Sequence, residues 1–166
     1  MENAFQSAAR TRVKKELEQL HSNPPTGIQV WTKNDSLHEL EAEITGPENS
    51  PYEGGRFLLH IELSSRYPLE PPQVRFKTPV YHPNIDSSGR ICFDALNLPP
   101  KGAWRPCLNI STLLVSIRLL LVEANPEDAL MAEIAEEYRK NYSLFVKKAK
   151  DHTQQQALVY SCTNKH

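Results

Sequence analysis

One irregular segment, residues 81–104, separates a stretch patterned for strands from a stretch patterned for helices. The segment has little helical period and no clean strand alternation. It is rich in turn formers, namely Pro83, Asn84, Asp86, Ser87, Gly89, Pro99, Pro100 and Gly102. Such a long irregular segment inside a compact domain is usually functional or disordered. Its embedded apolar residues argue against disorder, so we expect an ordered loop around its cysteine, Cys92.

A helix over about residues 5–20 is predicted ahead of the strands. Val13, Leu17 and Leu20 recur at helical spacing and give it one apolar stripe, and Pro24 ends it. The first half of this helix carries four basic residues, Arg10, Arg12, Lys14 and Lys15. They fit either a solvated face or a docking surface for an acidic partner, and both interpretations stay open.

Three strands are predicted next. Apolar and polar residues alternate over 39–44 and 57–63, and 74–77 forms a shorter strand. Short connections between consecutive strands indicate an antiparallel meander. The proline-rich stretch 67–72 reads as a stiff, exposed loop, either a simple connector or a binding surface that presents Leu69.

Helices follow the irregular segment. An apolar face at helical spacing predicts a core helix capped by Asn109 or Ser111, with Ile110, Leu113, Leu114, Ile117, Leu120 and Leu121 inside. Glu127 and Asp128 suit the start of a helix that runs to about residue 140. A last helix is expected from about residue 143 toward Tyr160, with a polar tail from about 154. Helices segregated from an antiparallel sheet define an α+β class, and 1–166 is expected to be one domain.

Composition narrows the function classes. Lysine plus arginine number 19 against 20 acids, a net charge of −1, which gives no general reason to expect nucleic-acid or acidic-membrane binding. No membrane span or signal-peptide core is apparent, so we expect a compartment where thiols stay reduced. Three cysteines without a paired spacing argue against a disulfide framework and a structural zinc site. Cys107 and Cys162 are expected to be buried and inert.

Cys92 differs from these two cysteines because turn formers and a basic residue, Arg90, surround it. A nucleophilic thiol usually needs a base or a lowered pKa. His82 is the nearest histidine in the sequence, but nothing in the sequence shows that its ring faces the sulfur. A thiol that only exchanges thioesters has a lighter requirement, since its leaving group is another thiol.

The ordered motifs resemble those of the ubiquitin-conjugating enzymes. His82-Pro83-Asn84, then Gly89-Arg90-Ile91-Cys92, then Trp104 and Pro106 match the family's active-site signature. The resemblance covers about residues 13–151. It implies the family's fold, with an N-terminal helix, a four-stranded antiparallel meander, a long active-site loop and C-terminal helices. Segment 98–106 is longer than in compact members and is similar to the T-type subfamily, which works with the Fanconi anaemia ligase in DNA crosslink repair.

The resemblance implies a thioester mechanism. Cys92 would accept the C-terminal glycine of ubiquitin from an activating enzyme, and a target lysine would then attack that carbonyl. Asn84 matches a motif asparagine that either steadies the oxyanion or holds the adjacent loop, and both roles stay open. Asp128 matches an acidic gate residue that would orient and deprotonate the lysine; it also suits a helix-start acid, and both can be true. Asp94 is expected at the site rim, and His82 there as a structural hydrogen bonder.

The resemblance also implies docking surfaces. Arg12 and Lys15 match positions that face the activating enzyme and ligases. Leu69, Trp104 and Pro106 match positions in the two loops that bind ligases, and Arg66 lies beside the first of these loops. The chain departs from the family where Leu69 replaces a common phenylalanine and Ala129 a common proline.

The partners implied are ubiquitin, the activating enzyme, a RING-type ligase of the Fanconi kind and a substrate lysine, with no direct nucleic acid and no membrane. No metal or bound cofactor is expected, because the activating enzyme consumes ATP upstream. The expected location is nuclear, cytoplasmic or both. One alternative is a catalytically silent ubiquitin-binding scaffold, but such variants typically lose the cysteine. Another is a cysteine hydrolase, which is disfavoured because no His-Asp relay is evident.

Overall fold

A computed structural model of the chain describes residues 4–158. Helix α1 spans Ala4–Ser22 and is followed by strands β1 Ile28–Lys33, β2 Ser36–Thr45, β3 Arg56–Glu62 and β4 Gln73–Phe76. Helices α2 Ile110–Val122, α3 Ala132–Lys140 and α4 Tyr142–Gln156 complete the order. The four strands form one antiparallel meander in the order β1-β2-β3-β4. The predicted α+β class and the family's architecture are therefore confirmed.

The sheet buries the face that the alternating pattern predicts. Leu40 pairs with Ile61, and Ile44 pairs with Phe57, and all four side chains are fully buried. Because successive side chains of a strand point to opposite faces, the intervening glutamates and histidine lie on the other side. Helix α2 covers the core with the six residues assigned to it from spacing, all of them buried.

Strand β1 was not located from the sequence pattern, although the family resemblance required a fourth strand. It precedes the other three and pairs with β2 through a tight turn at Asn34 and Asp35. Both turn residues have positive φ, 52° and 56°. Asparagine and aspartate tolerate that left-handed region, so this dipeptide was the available hairpin signal.

Helix α2 begins at a capping box built on Asn109. The Asn109 side chain accepts from the Thr112 N–H, while the Thr112 hydroxyl accepts from the Asn109 N–H. Reciprocal bonds of this kind satisfy two backbone donors that a helix start leaves open. Of the two predicted caps, Asn109 is correct and Ser111 is not.

The prediction that a helix starts near Asp128 is wrong, because Pro126–Asp128 forms a separate 3₁₀ turn and α3 begins at Ala132. The N–H groups of Leu130 and Met131 both donate to the Pro83 carbonyl, at 3.0 and 3.1 Å. These bonds hold the intervening chain against the irregular segment, so the helix begins only after them. Asp128 is therefore not a helix-start acid.

Helix α4 ends at Gln156, earlier than expected, and Ala157 forms its buried C-cap. Tyr160, toward which that helix was extended, lies outside the described residues, as does most of the polar tail expected from about residue 154. Among residues 4–158, no helix has the length and apolar character needed to cross a membrane.

Cys107 corrects a further expectation. It is a free thiol and is exposed, not buried, because it lies in the loop between Trp104 and α2 and not on an apolar face. Cys162 lies outside the described residues.

Candidate active site

The irregular segment folds back on itself and brings Cys92 beside Asn84. The Cys92 N–H donates to the Asn84 carbonyl at 2.8 Å, and Ile85 and Ile91 form a bridge in between. Gly89 lies at the turn with φ 84°, and a Cβ there would collide with the Phe76 carbonyl. Glycine is required at that position by both its conformation and its close approach to β4.

The turn that precedes Cys92 is organised by Asp86. One carboxylate oxygen accepts from the N–H groups of Ser88 and Arg90, each at 2.9 Å. The other pairs with the Arg90 guanidinium at 3.1 Å. This local network directs the chain toward the cysteine without any regular secondary structure. Desolvation alone would raise the pKa of the Asp86 carboxyl, but hydrogen bonds from the Ser88 hydroxyl and from the Arg90 and Ser88 N–H groups hold it below its usual range.

Cys92 is half-buried, and its surroundings raise the pKa of its thiol above the ordinary value. Burial is the largest cause, followed by the negative charges of Asp128 and Asp94, while Arg90 acts in the opposite direction. The thiol therefore lies within electrostatic reach of both carboxylates that the sequence assigned to the site. A raised pKa keeps the resting thiol protonated, which does not fit a hydrolase nucleophile activated by a base.

His82 was expected at the site rim, but it lies beneath the site and exposes 0% of its surface. Its Nε2–H donates to the Leu120 carbonyl at 2.7 Å, and its Nδ1 accepts from the Asn84 N–H at 3.0 Å. This pair of bonds requires a neutral ring. Burial accordingly lowers the pKa of His82 to about 4. The ring connects α2 to the active-site segment and is not available as a general base.

Asn84 is also fully buried, and its side-chain amide is completely engaged. Both Nδ2 hydrogens are donated, to the carbonyls of Asn125 at 2.7 Å and Asp128 at 3.1 Å. Its Oδ1 accepts from the Asn125 N–H at 2.8 Å. Asn84 thus holds the 125–131 loop against the cysteine segment. In this geometry neither amide hydrogen is free to reach an oxyanion.

Asp128 is exposed at the end of the 3₁₀ turn in the 125–131 loop. Asn84 contacts its backbone carbonyl, and the charge of its carboxylate acts on the Cys92 thiol. Asp94 opens another 3₁₀ turn, Asp94–Leu96, two residues after Cys92, and is exposed. Both acids therefore belong to the accessible surface around the sulfur.

Asn125 is a site residue that the candidate set drawn from the sequence does not include. Its backbone contacts both ends of the Asn84 amide, and its side chain caps the following turn at the Glu127 N–H. The Asn-Pro dipeptide, typical of a capped turn, was the available signal. Its contact with Asn84 lies across the fold and could not be inferred from spacing.

Two loops lie beside α1, and we call residues 66–72 the proline-rich loop and residues 104–108 the tryptophan loop. Leu69 is 49% exposed at the tip of the first, and Arg66 is exposed beside it. Pro106 is exposed in the second, as is Lys15 on α1. These four side chains are accessible to a protein partner.

Trp104 was expected to contact a ligase, but it exposes only 1% of its surface. Its indole N–H donates to the Pro68 carbonyl at 2.9 Å, so it braces the proline-rich loop from inside. Arg12 is only partly exposed, and its guanidinium contacts the tryptophan loop. A direct contact between a partner and the Trp104 ring is therefore ruled out in this conformation. Within residues 4–158, no cluster of three or more acidic, histidine or cysteine side chains could hold a metal ion.

Comparison with known proteins agrees with this arrangement. A family model described as ubiquitin-conjugating enzyme matches residues 12–153. The chain belongs to the ubiquitin-conjugating enzyme family. Ubiquitin-conjugating enzyme E2 T of Danio rerio is 55% identical over 148 residues, covering 89% of this chain and 76% of that protein. The E2 T of Homo sapiens is 54% identical over 147 residues, covering 89% and 75% respectively.

A yeast member of the family is also similar to this chain. Ubiquitin-conjugating enzyme E2 13 of Saccharomyces cerevisiae is 46% identical over 142 residues, which cover 86% of this chain and 90% of that protein. The expected similarity to T-type members is confirmed. This conjugating enzyme is a transferase of the ubiquitin pathway, and such enzymes work with ubiquitin, an activating enzyme and ligases. A catalytically silent scaffold is not favoured.

Proposed function

We propose that Cys92 carries ubiquitin as a thioester in this conjugating enzyme. Its thiolate attacks the thioester carbonyl that links ubiquitin to the activating enzyme. A new C–S bond forms at Cys92, the old C–S bond breaks, and the activating enzyme's thiol leaves. The observation that supports this most directly is a half-buried thiol, bonded through its backbone N–H to Asn84 and within electrostatic reach of two exposed carboxylates.

The second step transfers ubiquitin to a lysine, and we assign Asp128 to it. The lysine nitrogen forms a C–N bond with the carbonyl, the C–S bond breaks, and the thiol is regenerated. At a reference pKa near 10.4, only about four lysines in ten thousand are neutral at pH 7. An exposed carboxylate beside the sulfur can orient the incoming ammonium and receive its proton.

Asn84 supports this step by holding the 125–131 loop. Its three side-chain hydrogen bonds to Asn125 and Asp128 favour this role over direct stabilisation of the oxyanion. An oxyanion role would require one of the two donated bonds to break first. Asp94 contributes further negative charge near the thiol.

The partner surface extends over α1 and the two loops beside it. Lys15, with Arg12 on the same helix, is assigned to the activating enzyme and ligases, and Arg66, Leu69 and Pro106 to a RING-type ligase. Similarity to E2 T proteins supports a ligase of the Fanconi kind, and hence monoubiquitination in DNA crosslink repair. We place the enzyme in the nucleus, the cytoplasm or both. It holds no cofactor in this proposal, because ATP is consumed by the activating enzyme, and it contacts neither nucleic acid nor membrane directly.

Single-turnover discharge tests the assignment of Asp128. The enzyme is loaded with ubiquitin, excess activating enzyme is quenched, and transfer to free lysine is followed. Asp128→Ala is expected to slow discharge about 10²-fold, in the range of positioned acid–base groups, without slowing loading. Glu127→Ala is the matched control, since it removes an exposed acid from the same turn. If Asp128→Ala and Glu127→Ala slow discharge equally, Asp128 has no specific role in the mechanism. The same conclusion follows if Asp128→Ala slows loading as much as discharge.

A further inference from the structure

Glu16 on α1 is a buried carboxylate that joins distant parts of the chain. It exposes 8% of its surface. Its Oε2 accepts from the Tyr67 hydroxyl at 2.7 Å, and its Oε1 accepts from the Ile110 N–H at 2.8 Å. Burying a carboxylate is costly unless it is hydrogen-bonded, so this geometry fixes α1 to the proline-rich loop and to the start of α2.

Arg12 lies one helical turn before Glu16 and pairs with it, Nε to Oε2, at 3.3 Å. Its two terminal nitrogens donate short hydrogen bonds to the carbonyls of Pro106 and Leu108 in the tryptophan loop. The guanidinium carbon also lies 5.5 Å from the centroid of the Tyr67 ring. Arg12 is thus fixed at several points by its planar fork of donors, instead of projecting freely as a surface charge.

The two loops also contact each other. The Trp104 indole donates to the Pro68 carbonyl, and the Tyr67 and Trp104 rings lie 6.0 Å apart between centroids. Tyr67 and Trp104 each expose 1% of their surface. The proline-rich loop, the tryptophan loop and α1 therefore form one connected unit, with the Glu16 carboxylate at its buried centre.

We propose that Glu16 is a positioning residue for the ligase-dependent step. Through Arg12 and Tyr67 it sets the spacing between the proline-rich loop and the tryptophan loop. A RING-type ligase binds both loops at once, so this spacing affects its binding. This inference rests on the ligase role proposed for these loops. The described hydrogen bonds of Glu16 lie in α1, the proline-rich loop and α2, and none of them reaches Cys92 or Asn84.

The test is Glu16→Gln, assayed with a RING ligase chosen because it stimulates discharge by the unmodified chain. An amide keeps the size of the side chain but loses its charge and one acceptor, so one buried donor loses its partner. The KM for the ligase should rise about 10-fold, while discharge at saturating ligase changes less than twofold. Glu18→Gln, the same charge change at an exposed position on α1, should leave the KM unchanged.

Tyr67→Phe provides a milder second variant, because it removes only the hydroxyl that donates a hydrogen bond to Glu16. It should raise the ligase KM less than Glu16→Gln does. The KM of the double variant for the ligase should be no higher than that of Glu16→Gln alone, since both changes disrupt the same hydrogen-bond network. Effects that multiply in the double variant would show two independent roles and would overturn the inference.

Two further measurements separate the possible outcomes. If ligase-independent discharge falls as much as ligase-stimulated discharge in Glu16→Gln, then Glu16 only supports the fold and the inference fails. Leu69→Ala tests the ligase surface itself. If Leu69→Ala raises the ligase KM and Glu16→Gln does not, the inference fails while the proposed ligase surface stands. If Leu69→Ala leaves the KM unchanged, the ligase role of the loops fails, and the inference fails with it.

Discussion

At the scale of single residues, the Cys92 thiol is less acidic than an ordinary cysteine. Its partial burial and the charges of Asp128 and Asp94 raise its pKa, and Arg90 offsets only part of that effect. Exchange between two thioesters is nearly balanced, so a strongly activated nucleophile is not required. A protonated resting thiol is also protected from side reactions, because the thiolate is the reactive form.

The raised pKa predicts how alkylation of Cys92 responds to charge removal. In a background of Cys107→Ser and Cys162→Ser, iodoacetamide should react faster as pH rises through the alkaline range. Asp128→Asn and Asp94→Asn should each lower the thiol pKa and speed alkylation at neutral pH. Mass spectrometry of the modified Cys92 measures the rate. Unchanged or slower alkylation in both variants would contradict the electrostatic account.

His82 makes a second prediction, about stability. Its folded pKa of about 4 lies below the ordinary value of 6.5, so the unfolded chain binds the proton first as pH falls. The free energy of unfolding should therefore drop by about 3 kcal/mol between pH 6.5 and pH 4 from this residue alone. About one pH unit above 6.5, where neither state binds the proton, the contribution becomes constant.

Urea unfolding at pH 7, 5.5 and 4 measures this dependence. His82→Asn is expected to be less stable at pH 7, because two buried hydrogen bonds change, yet its stability should fall less steeply toward pH 4. His152, whose pKa is also lowered by burial, leaves some residual slope. Parallel curves for the two proteins would contradict the assignment to His82.

At the scale of elements, the 125–131 loop and the cysteine segment act as one unit. Asn84 bonds to the backbone of Asn125 and Asp128, and the Pro83 carbonyl accepts from Leu130 and Met131. All of these contacts are made to backbone atoms of the 125–131 loop, and through the backbone they hold Asp128 near the sulfur. Loss of the Asn84 amide should therefore displace Asp128.

Asn84→Ala should slow lysine discharge about 10²-fold and lower the free energy of unfolding by about 2 kcal/mol, since buried partners lose their bonds. If Asn84 acts through the loop, adding Asp128→Ala should cause little further loss of discharge. Single-turnover discharge of the two single variants and the double variant forms the test. Losses that multiply fully would favour the oxyanion role that the sequence left open.

Element positions followed the sequence where periodicity was strong. The core face of α2 and the alternation in β2 and β3 were predicted correctly because burial on one face imposes that pattern. Strand β1 and the start of α3 were missed because a tight turn and the Pro83 contacts decide them. Such contacts join residues that are distant in the sequence and leave no local period.

At the scale of the whole molecule, the chemistry and the docking surface occupy separate parts of the chain. Cys92, Asn84 and Asp128 belong to the active-site segment and the 125–131 loop, whereas Leu69 and the Glu16 network belong to α1 and the two loops beside it. Sequence motifs pointed to Cys92, Asn84, Asp128 and Leu69, but not to Asn125 or Glu16. They did not show that His82 and Trp104 are buried, since burial depends on the packing of α2 and of the proline-rich loop.

The central claim is that Cys92 alone carries ubiquitin, and a non-reducing gel tests it most directly. Incubation with activating enzyme, ATP and ubiquitin should yield one adduct that a reductant removes. Cys92→Ser should give a reductant-resistant oxyester, and Cys107→Ser should behave like the unmodified enzyme. Cys92→Ala should give no adduct. An adduct that persists in Cys92→Ala, or its absence from the unmodified enzyme, would contradict the account.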